Sequence, residues 1–205
     1  MPATGPRTHR QRPVQRQAVF ARWLRRLAQC LSVLLLLLTI ATALYGNRDP
    51  YRNFSMIAFW ITFSLGLTYA TAFIGNIYAL LNPWRNLTAG IGLLWRNYAV
   101  GRIRYPTSLA DWPALALYLA FIGYELLGTG KTATLGWLLV SYTALNLAGV
   151  WLIGAAAWFR HCEFFAVFYR LIGLLAPVNW QRSDTGNKPL TVNFRPPLAG
   201  LWRER

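Results

Sequence analysis

One long stretch without a charged residue limits what this chain can fold into. From Met56 to Leu81 there is no Lys, Arg, Asp or Glu. As a helix, the stretch would extend about 39 Å at 1.5 Å per residue, which exceeds the ~30 Å hydrocarbon thickness of a bilayer. A surface helix of a soluble protein would expose one face to water and carry charge there. The stretch therefore predicts a membrane span, placed at residues 55–81.

The composition places the whole chain in the same class. Of its 205 residues, 55% are hydrophobic and 13% are charged, and the mean hydropathy is +0.30. These values predict an all-α integral membrane protein surrounded by the lipid bilayer. The net charge of +15 would also suit a nucleic-acid-binding protein. Because the basic residues flank apolar runs, we expect anionic lipid headgroups as their counter-charge and no nucleic-acid partner.

Four apolar runs are long enough to span, so we predict four transmembrane helices joined by interfacial amphipathic helices. The first run follows an arginine-rich segment and could be a cleaved secretory signal. Its length and the spans after it favour a retained signal anchor. The predicted division is a basic tail (1–26), a four-span domain (27–177) with spans at 27–45, 55–81, 109–127 and 133–159, surface helices within 86–106 and 164–177, and an extended tail (178–205).

The distribution of basic residues predicts the orientation. With the N-terminus inside, 18 of the 21 Lys and Arg residues fall on the inner side and only Arg48, Arg52 and Lys131 fall outside. Cytoplasmic segments of membrane proteins carry this excess of basic residues. We therefore expect a multi-pass protein of the bacterial inner membrane with both termini in the cytoplasm.

Small and polar residues recur at helical spacing within two predicted spans. In the second span, Ser64, Thr68 and Asn76 share one face, and Asn146 lies on a similar stripe of the fourth. Such a stripe suits close packing between helices in lipid. It would equally suit the wall of a polar intramembrane cavity, to which Tyr118 of the third span could add.

The end of the second span has a different character. Pro83 lacks a backbone N–H and ends the predicted helix. Trp84 and Arg85 follow it. An aromatic ring beside a cation is typical of the membrane–water interface, so both are predicted to lie there.

Two groups of residues are candidates for chemistry. His161, Cys162 and Glu163 form the densest set of side chains able to bind a metal, although neighbours on one helix diverge by about 100°. The alternative is that they cap and solvate the end of the fourth span. Glu125, near the outer end of the third span and seven residues after Tyr118, is a candidate catalytic carboxylate or proton partner; the alternative is an interfacial carboxylate paired with Lys131.

Several phrases resemble a bacterial integral-membrane family, the fenitrothion hydrolases. They are Asn82-Pro83-Trp84-Arg85, Asp111-Trp112-Pro113-Ala114, Ser141-Tyr142-Thr143, Glu163-Phe164 and Arg195-Pro196-Pro197-Leu198. The resemblance implies hydrolysis of organophosphorus triesters and identifies no catalytic residue. For such a hydrolase subunit, the residues themselves offer Glu125, His161 and Glu163 as catalytic candidates, and His161, Cys162 and Glu163 as candidate ligands of a divalent metal that would activate water.

Members of that family look longer than this chain. The resemblance therefore also implies a hetero-oligomer, in which a second multi-span subunit supplies further helices. Two other functions compete with the hydrolase subunit. One is a transporter or channel component whose path is lined by Asn76, Tyr118, Glu125 and Asn146. The other is a structural subunit of a larger membrane complex.

Overall fold

The structure is a computed structural model, and it describes residues 12–127, 130–181 and 191–194. Most of these residues are helical. Three helical segments, Val19–Tyr45, Phe54–Ile74 and Thr132–Ile153, are long and apolar enough to cross a membrane. They confirm a helical chain with candidate spans. The helices are α1 (Arg12–Tyr45), α2 (Phe54–Ile74), α3 (Tyr78–Leu81), α4 (Pro83–Leu94), α5 (Trp112–Leu127), α6 (Thr132–Ile153), α7 (Ala155–Ala157, continued by the π-helical turn Trp158–Cys162) and α8 (Phe164–Gly173).

Two of the predicted spans end earlier than expected. The second was predicted to reach residue 81, but α2 ends at Ile74 and is followed by Gly75 with φ 101°. The fourth was predicted to reach residue 159, but α6 ends at Ile153 before Gly154 with φ 86°. Both glycines take a left-handed backbone that other residues rarely adopt. Apolar composition continues past each glycine, so hydropathy alone does not reveal the reversals.

The reversal after α6 is held by a loop that follows α4. Backbone N–H groups of Arg102 and Ile103 donate to the Leu152 carbonyl at 2.7 and 2.9 Å, and the Ala155 N–H donates to the Ala99 carbonyl at 3.1 Å. The Arg102 guanidinium lies 3.9 Å from the Trp151 ring centroid. These contacts satisfy carbonyl groups that the end of a helix leaves without partners.

Helices α1 and α6 pack closely in opposite directions. A Cβ on Gly136, near the start of α6, would overlap Leu44 at the end of α1. Asn53, just before α2, donates its side-chain amide to the Thr42 carbonyl of α1 at 2.8 Å. The end of α1 and the beginnings of α2 and α6 therefore lie together.

An aromatic cluster fills the space between α2, α4, α6 and α8. Phe165 of α8 stacks on Trp84 with a centroid distance of 5.7 Å and meets Phe63 edge-on at 4.9 Å. Residues Ile57–Gly66 of α2 are π-helical. In this wider turn the Phe63 carbonyl accepts a hydrogen bond of 2.7 Å from the Tyr169 hydroxyl.

The other segments depart in part from the predictions. Between residues 86 and 106 the structure has the second half of α4 and a loop. Thr88 is 1% exposed, whereas Leu93 and Leu94 at the end of α4 are exposed. After α8, strands β1 (Val178–Gln181) and β2 (Thr191–Phe194) pair antiparallel, although an extended tail without pairing was expected. Residues 1–11 of the predicted basic tail, and 182–190 and 195–205 of the predicted extended tail, lie outside the described residues.

Candidate functional site

Two breaks in the helical structure meet beside the middle of α6. One lies at Asn82, between α3 and α4, and the other at Glu163, between α7 and α8. Tyr142, the eleventh of the 22 residues of α6, donates its hydroxyl to a Glu163 carboxylate oxygen at 2.5 Å. Trp84 donates its indole N–H to the Thr143 hydroxyl at 3.0 Å. Both breaks therefore lie about halfway along a helix long enough to span.

The segments on either side of Glu163 form a helical hairpin. Helix α7 runs back along α6, because the Trp158 indole packs on Gly149 and donates to the Asn146 side-chain oxygen at 2.8 Å. Helix α8 then returns beside α7, as the Arg170 guanidinium donates to the Arg160 carbonyl at 2.7 Å. Glu163 is thus the tip of a hairpin that enters the helical bundle and leaves on the same side.

The Glu163 carboxylate is fully buried and hydrogen bonded by groups from three elements. Besides Tyr142, the Asn82 amide donates at 3.0 Å and the backbone N–H groups of Phe165 and Ala166 donate at 3.1 and 2.7 Å. The Tyr78 hydroxyl lies 3.4 Å away. A buried carboxylate needs such donors, because desolvation of a charge without partners is strongly unfavourable.

Asn82 joins the two breaks directly. Its side-chain oxygen accepts from the Arg85 N–H at 2.9 Å and caps the start of α4, while its amide donates to Glu163, which caps α8. The start of α8 therefore contacts the carboxylate directly, and the start of α4 is linked to it through Asn82. The partial positive charge of each helix start stabilises negative charge at this position.

A polar cavity of about 230 Å³ adjoins this contact. Tyr78 and Asn82 belong to its wall and also contact Glu163. The cavity's other polar and charged lining residues are Asn76, Arg85, Arg160 and Arg170. Three arginines line this one small volume, and their charges make it electropositive.

The three arginines are partnered differently. Arg170 donates to an Asp111 carboxylate oxygen at 2.6 Å as well as to the Arg160 carbonyl. Arg85 and Arg160 are exposed, and within the part of the chain that the structure describes their guanidinium groups make no ion pair or hydrogen bond. The cavity thus has an excess of positive charge among these residues.

Asp111 also binds His161. Its second carboxylate oxygen lies 2.7 Å from Nδ1 of His161, whose ring stacks on Tyr105 at 5.2 Å. Burial raises the pKa of the Tyr105 hydroxyl and of the Cys162 thiol, so both stay protonated at neutral pH. The Asp111 contacts fasten the loop before α5 to the α7–α8 hairpin.

The structure does not bring the side chains of the three predicted metal ligands together. His161 pairs with Asp111, Cys162 is buried, and the Glu163 carboxylate is occupied by hydrogen-bond donors. Among the residues that can be described, no group of three or more His, Cys, Asp or Glu side chains could hold a metal ion. The divergence of consecutive helical side chains and the sharp turn at Glu163 separate the three candidates.

The structure does not bring the other candidate residues into one site. Asn76 lies beyond the end of α2 and lines the cavity, whereas Asn146 is buried and serves packing through Trp158. Tyr118 of α5 stacks on Phe168 at 6.1 Å. Glu125 is exposed near the end of α5, and no hydrogen bond or ion pair involves it among the described residues.

The predicted interfacial pair is split. Trp84 is 1% exposed and packs in the aromatic core, whereas an aromatic-belt residue would face the lipid headgroups. The break at Asn82 turns α4 back into the bundle and carries Trp84 inside. Arg85 is exposed and lines the cavity.

Sequence reasoning did not assign Asn82, Tyr142, Arg160 and Arg170 to one site. Local signals in the sequence mark two of the four, Asn82 and Arg170. Asn-Pro is a favourable start for a helix as well as an end, because Asn caps and Pro suits the first turn. Arg170 stands inside an apolar segment, where a cation needs a partner or an aqueous cavity.

No family model, curated protein or solved structure matches this chain. Nothing in these comparisons links it to the fenitrothion hydrolases, and that resemblance stays a prediction from sequence phrases.

Proposed function

We propose that this chain is a component of a membrane transporter for a small oxyanion, which binds in the arginine-lined cavity. The observation that carries the proposal is the convergence of Arg85, Arg160 and Arg170 on a cavity of about 230 Å³ beside two helix breaks. Guanidinium groups bind phosphate and carboxylate groups through paired hydrogen bonds. Broken helices inside a bilayer are tolerated where they line a cavity, and transporters place their substrate sites there.

The packing of the helix ends supports four crossings. The end of α1 lies with the starts of α2 and α6. The start of α5 lies at the opposite end of α6, since Asp111 contacts the α7–α8 hairpin that follows it. Helix α5 would then cross between the two sides. Basic-residue counts favour the cavity side as cytoplasmic, in an inner membrane with both termini inside.

Binding of inorganic phosphate to the full chain in lipid nanodiscs tests the proposal. We expect Arg160→Gln and Arg85→Gln each to weaken phosphate binding about tenfold or more, because each loses a charge-assisted hydrogen bond. Arg96→Gln is the matched control, since Arg96 is exposed and does not line the cavity. Uptake of labelled phosphate into proteoliposomes should fall in the same two variants.

Phosphate binding that is equal in all four proteins would exclude the cavity as an anion site. Binding that depends on the two arginines without uptake would restrict this chain to an anion-binding role. A second multi-span subunit stays the predicted partner, and adding it back should then restore uptake.

The His161–Asp111 pair favours hydrolysis of organophosphorus triesters as a second candidate function. With Nδ1–H donating to Asp111, Nε2 of His161 is free to accept a proton from water. The resulting hydroxide would form a bond to phosphorus as the bond to the aryloxide leaving group breaks. The product, a phosphodiester anion, has the chemistry that the nearby arginines bind.

Release of a chromogenic phenol from a phosphotriester, measured with the full chain, separates the two functions. His161→Ala should abolish phenol release if the second function holds, while phosphate binding stays at the wild-type level. Phenol release that is unchanged in His161→Ala would remove His161 as the base.

A further inference from the structure

Glu163 is a buried carboxylate, and no cationic side chain of the described residues forms an ion pair with it. The groups that face it are Tyr78 and Asn82 at the first break, Tyr142 of α6, and the N–H groups at the start of α8. Tyr169 of α8 is a further titratable side chain beside this group, and its ring centroid lies 4.6 Å from that of Tyr78. The nearest described arginines line the adjacent cavity and make no ion pair with Glu163.

The wall between this carboxylate and the cavity is thin. Tyr78 and Asn82 line the cavity and lie 3.4 and 3.0 Å from the Glu163 carboxylate oxygens. Ala166, whose N–H donates to Glu163 at 2.7 Å, also lines the cavity. A charge on Glu163 is therefore felt by an anion in the cavity, because little high-dielectric solvent separates them.

We propose that Glu163 takes up a proton when an oxyanion binds in the cavity and releases it when the anion leaves. This inference rests on the proposed function and assigns to it a coupled ion. Protonation forms an O–H bond on one Glu163 oxygen and removes the negative charge that repels the anion. By linkage, anion binding then favours protonation to the same extent.

The hydrogen-bond partners of Glu163 can accommodate both states. The ionised carboxylate accepts from all its neighbours. After protonation, its new O–H needs an acceptor, and the hydroxyl oxygens of Tyr142 and Tyr78 provide one because a hydroxyl both donates and accepts. The N–H groups of Phe165 and Ala166 can continue to donate to the carboxyl group. No change in the backbone is required.

The pH dependence of sulfate binding to the full chain in nanodiscs tests the proposal. Sulfate is the probe because it carries no proton that titrates near neutral pH. We expect wild-type binding to strengthen about tenfold as the pH falls through the Glu163 transition. Glu163→Gln should bind with the strength of the acidic wild type at every pH, because its side chain is always neutral.

Two further variants distinguish Glu163 from its neighbours. Tyr142→Phe removes a donor to the carboxylate, so the transition in sulfate binding should move to higher pH. His161→Gln removes the imidazole that pairs with Asp111, and its sulfate binding should keep the wild-type pH dependence.

The outcomes separate this inference from the proposed function. Sulfate binding that is lost in Arg160→Gln but has the same pH dependence in wild type and Glu163→Gln would overturn proton coupling and leave the anion site in place. Loss of the pH dependence in His161→Gln would assign it to His161 instead. If Glu163→Gln does not fold, Tyr142→Phe is decisive. Sulfate binding that changes at the same pH in Tyr142→Phe as in the wild type would overturn the inference and leave the proposed function standing. No sulfate binding to the wild type would overturn both.

Discussion

At the scale of single residues, a glycine fixes how closely the hairpin approaches α6. Gly149 faces the Trp158 indole, and a Cβ at this position would overlap the ring. The same ring donates its N–H to Asn146, one turn earlier in α6. Small residues allow close helix approach in membranes, where polar side chains then join the helices. The stripe of small and polar residues that the sequence shows in α6 thus serves packing at this point.

We expect Gly149→Ala to lower the free energy of unfolding by about 1–3 kcal/mol, because Trp158 must move and release Asn146. Gly123→Ala in α5 is the matched control, since a Cβ there has no atom within 4 Å. Ala also has the higher helix propensity, so the control should be neutral or slightly stabilising. Thermal unfolding in detergent, followed by tryptophan fluorescence, measures both. Equal melting temperatures for the two variants would contradict the close contact.

At the scale of elements, two left-handed glycines hold the reversal between α6 and α7. A Cβ on Gly101 would overlap Ile153 and Gly154, and one on Gly154 would lie 2.8 Å from the Val100 carbonyl oxygen. Both residues have φ above 80°. The loop after α4 and the end of α6 therefore meet backbone to backbone. This contact sets where α7 begins, and hence how far Glu163 reaches into the bundle.

We expect Gly154→Ala to destabilise the fold by about 1–3 kcal/mol from backbone strain, with a further loss from the overlap with Val100. Gly130→Ala is the control: Gly130 also has φ above 60°, but a Cβ there meets no described atom within 4 Å. Gly130→Ala should lower the free energy of unfolding only by the cost of the backbone strain. The two melting temperatures give the difference, and a Gly130→Ala loss as large as that of Gly154→Ala would contradict a role for the loop contact.

The sequence predicts the helices better than it predicts their breaks. Hydropathy identifies α1, α2 and α6, because length and apolar composition are what a span requires. It does not register the reversals at Gly75 and Gly154, since apolar residues continue beyond both. Glu163 and Asn82 are 81 positions apart in the chain, so only the folded hairpin brings them together. The metal site was predicted from three residues that are adjacent in the sequence. The partners that actually contact His161 and Glu163 are distant in the sequence, so the sequence alone does not identify them.

At the scale of the whole molecule, α5 is the helix whose role decides the architecture. It has 16 residues and would extend about 24 Å, less than the ~30 Å hydrocarbon thickness. Its start is fastened to the α7–α8 hairpin through Asp111, and only four residues separate its end from the start of α6. For α5 to cross, the bilayer would have to thin locally, or polar residues at the ends of α5 would have to reach the interface. Helix α5 runs from the hairpin that follows α6 to the loop that precedes α6, and the four crossings predicted from the sequence require it to cross the bilayer.

Labelling of single cysteines in spheroplasts with a membrane-impermeant maleimide tests this crossing. The native thiols are first replaced by Cys30→Ser and Cys162→Ala. Because the end of α1 and the start of α6 lie together, Arg48→Cys and Lys131→Cys should both label from outside. Asn97→Cys, exposed in the loop after α4, should label only after permeabilisation. Labelling of Arg48→Cys with protection of Lys131→Cys would place the two loops on opposite sides, and α5 would then lie within one leaflet.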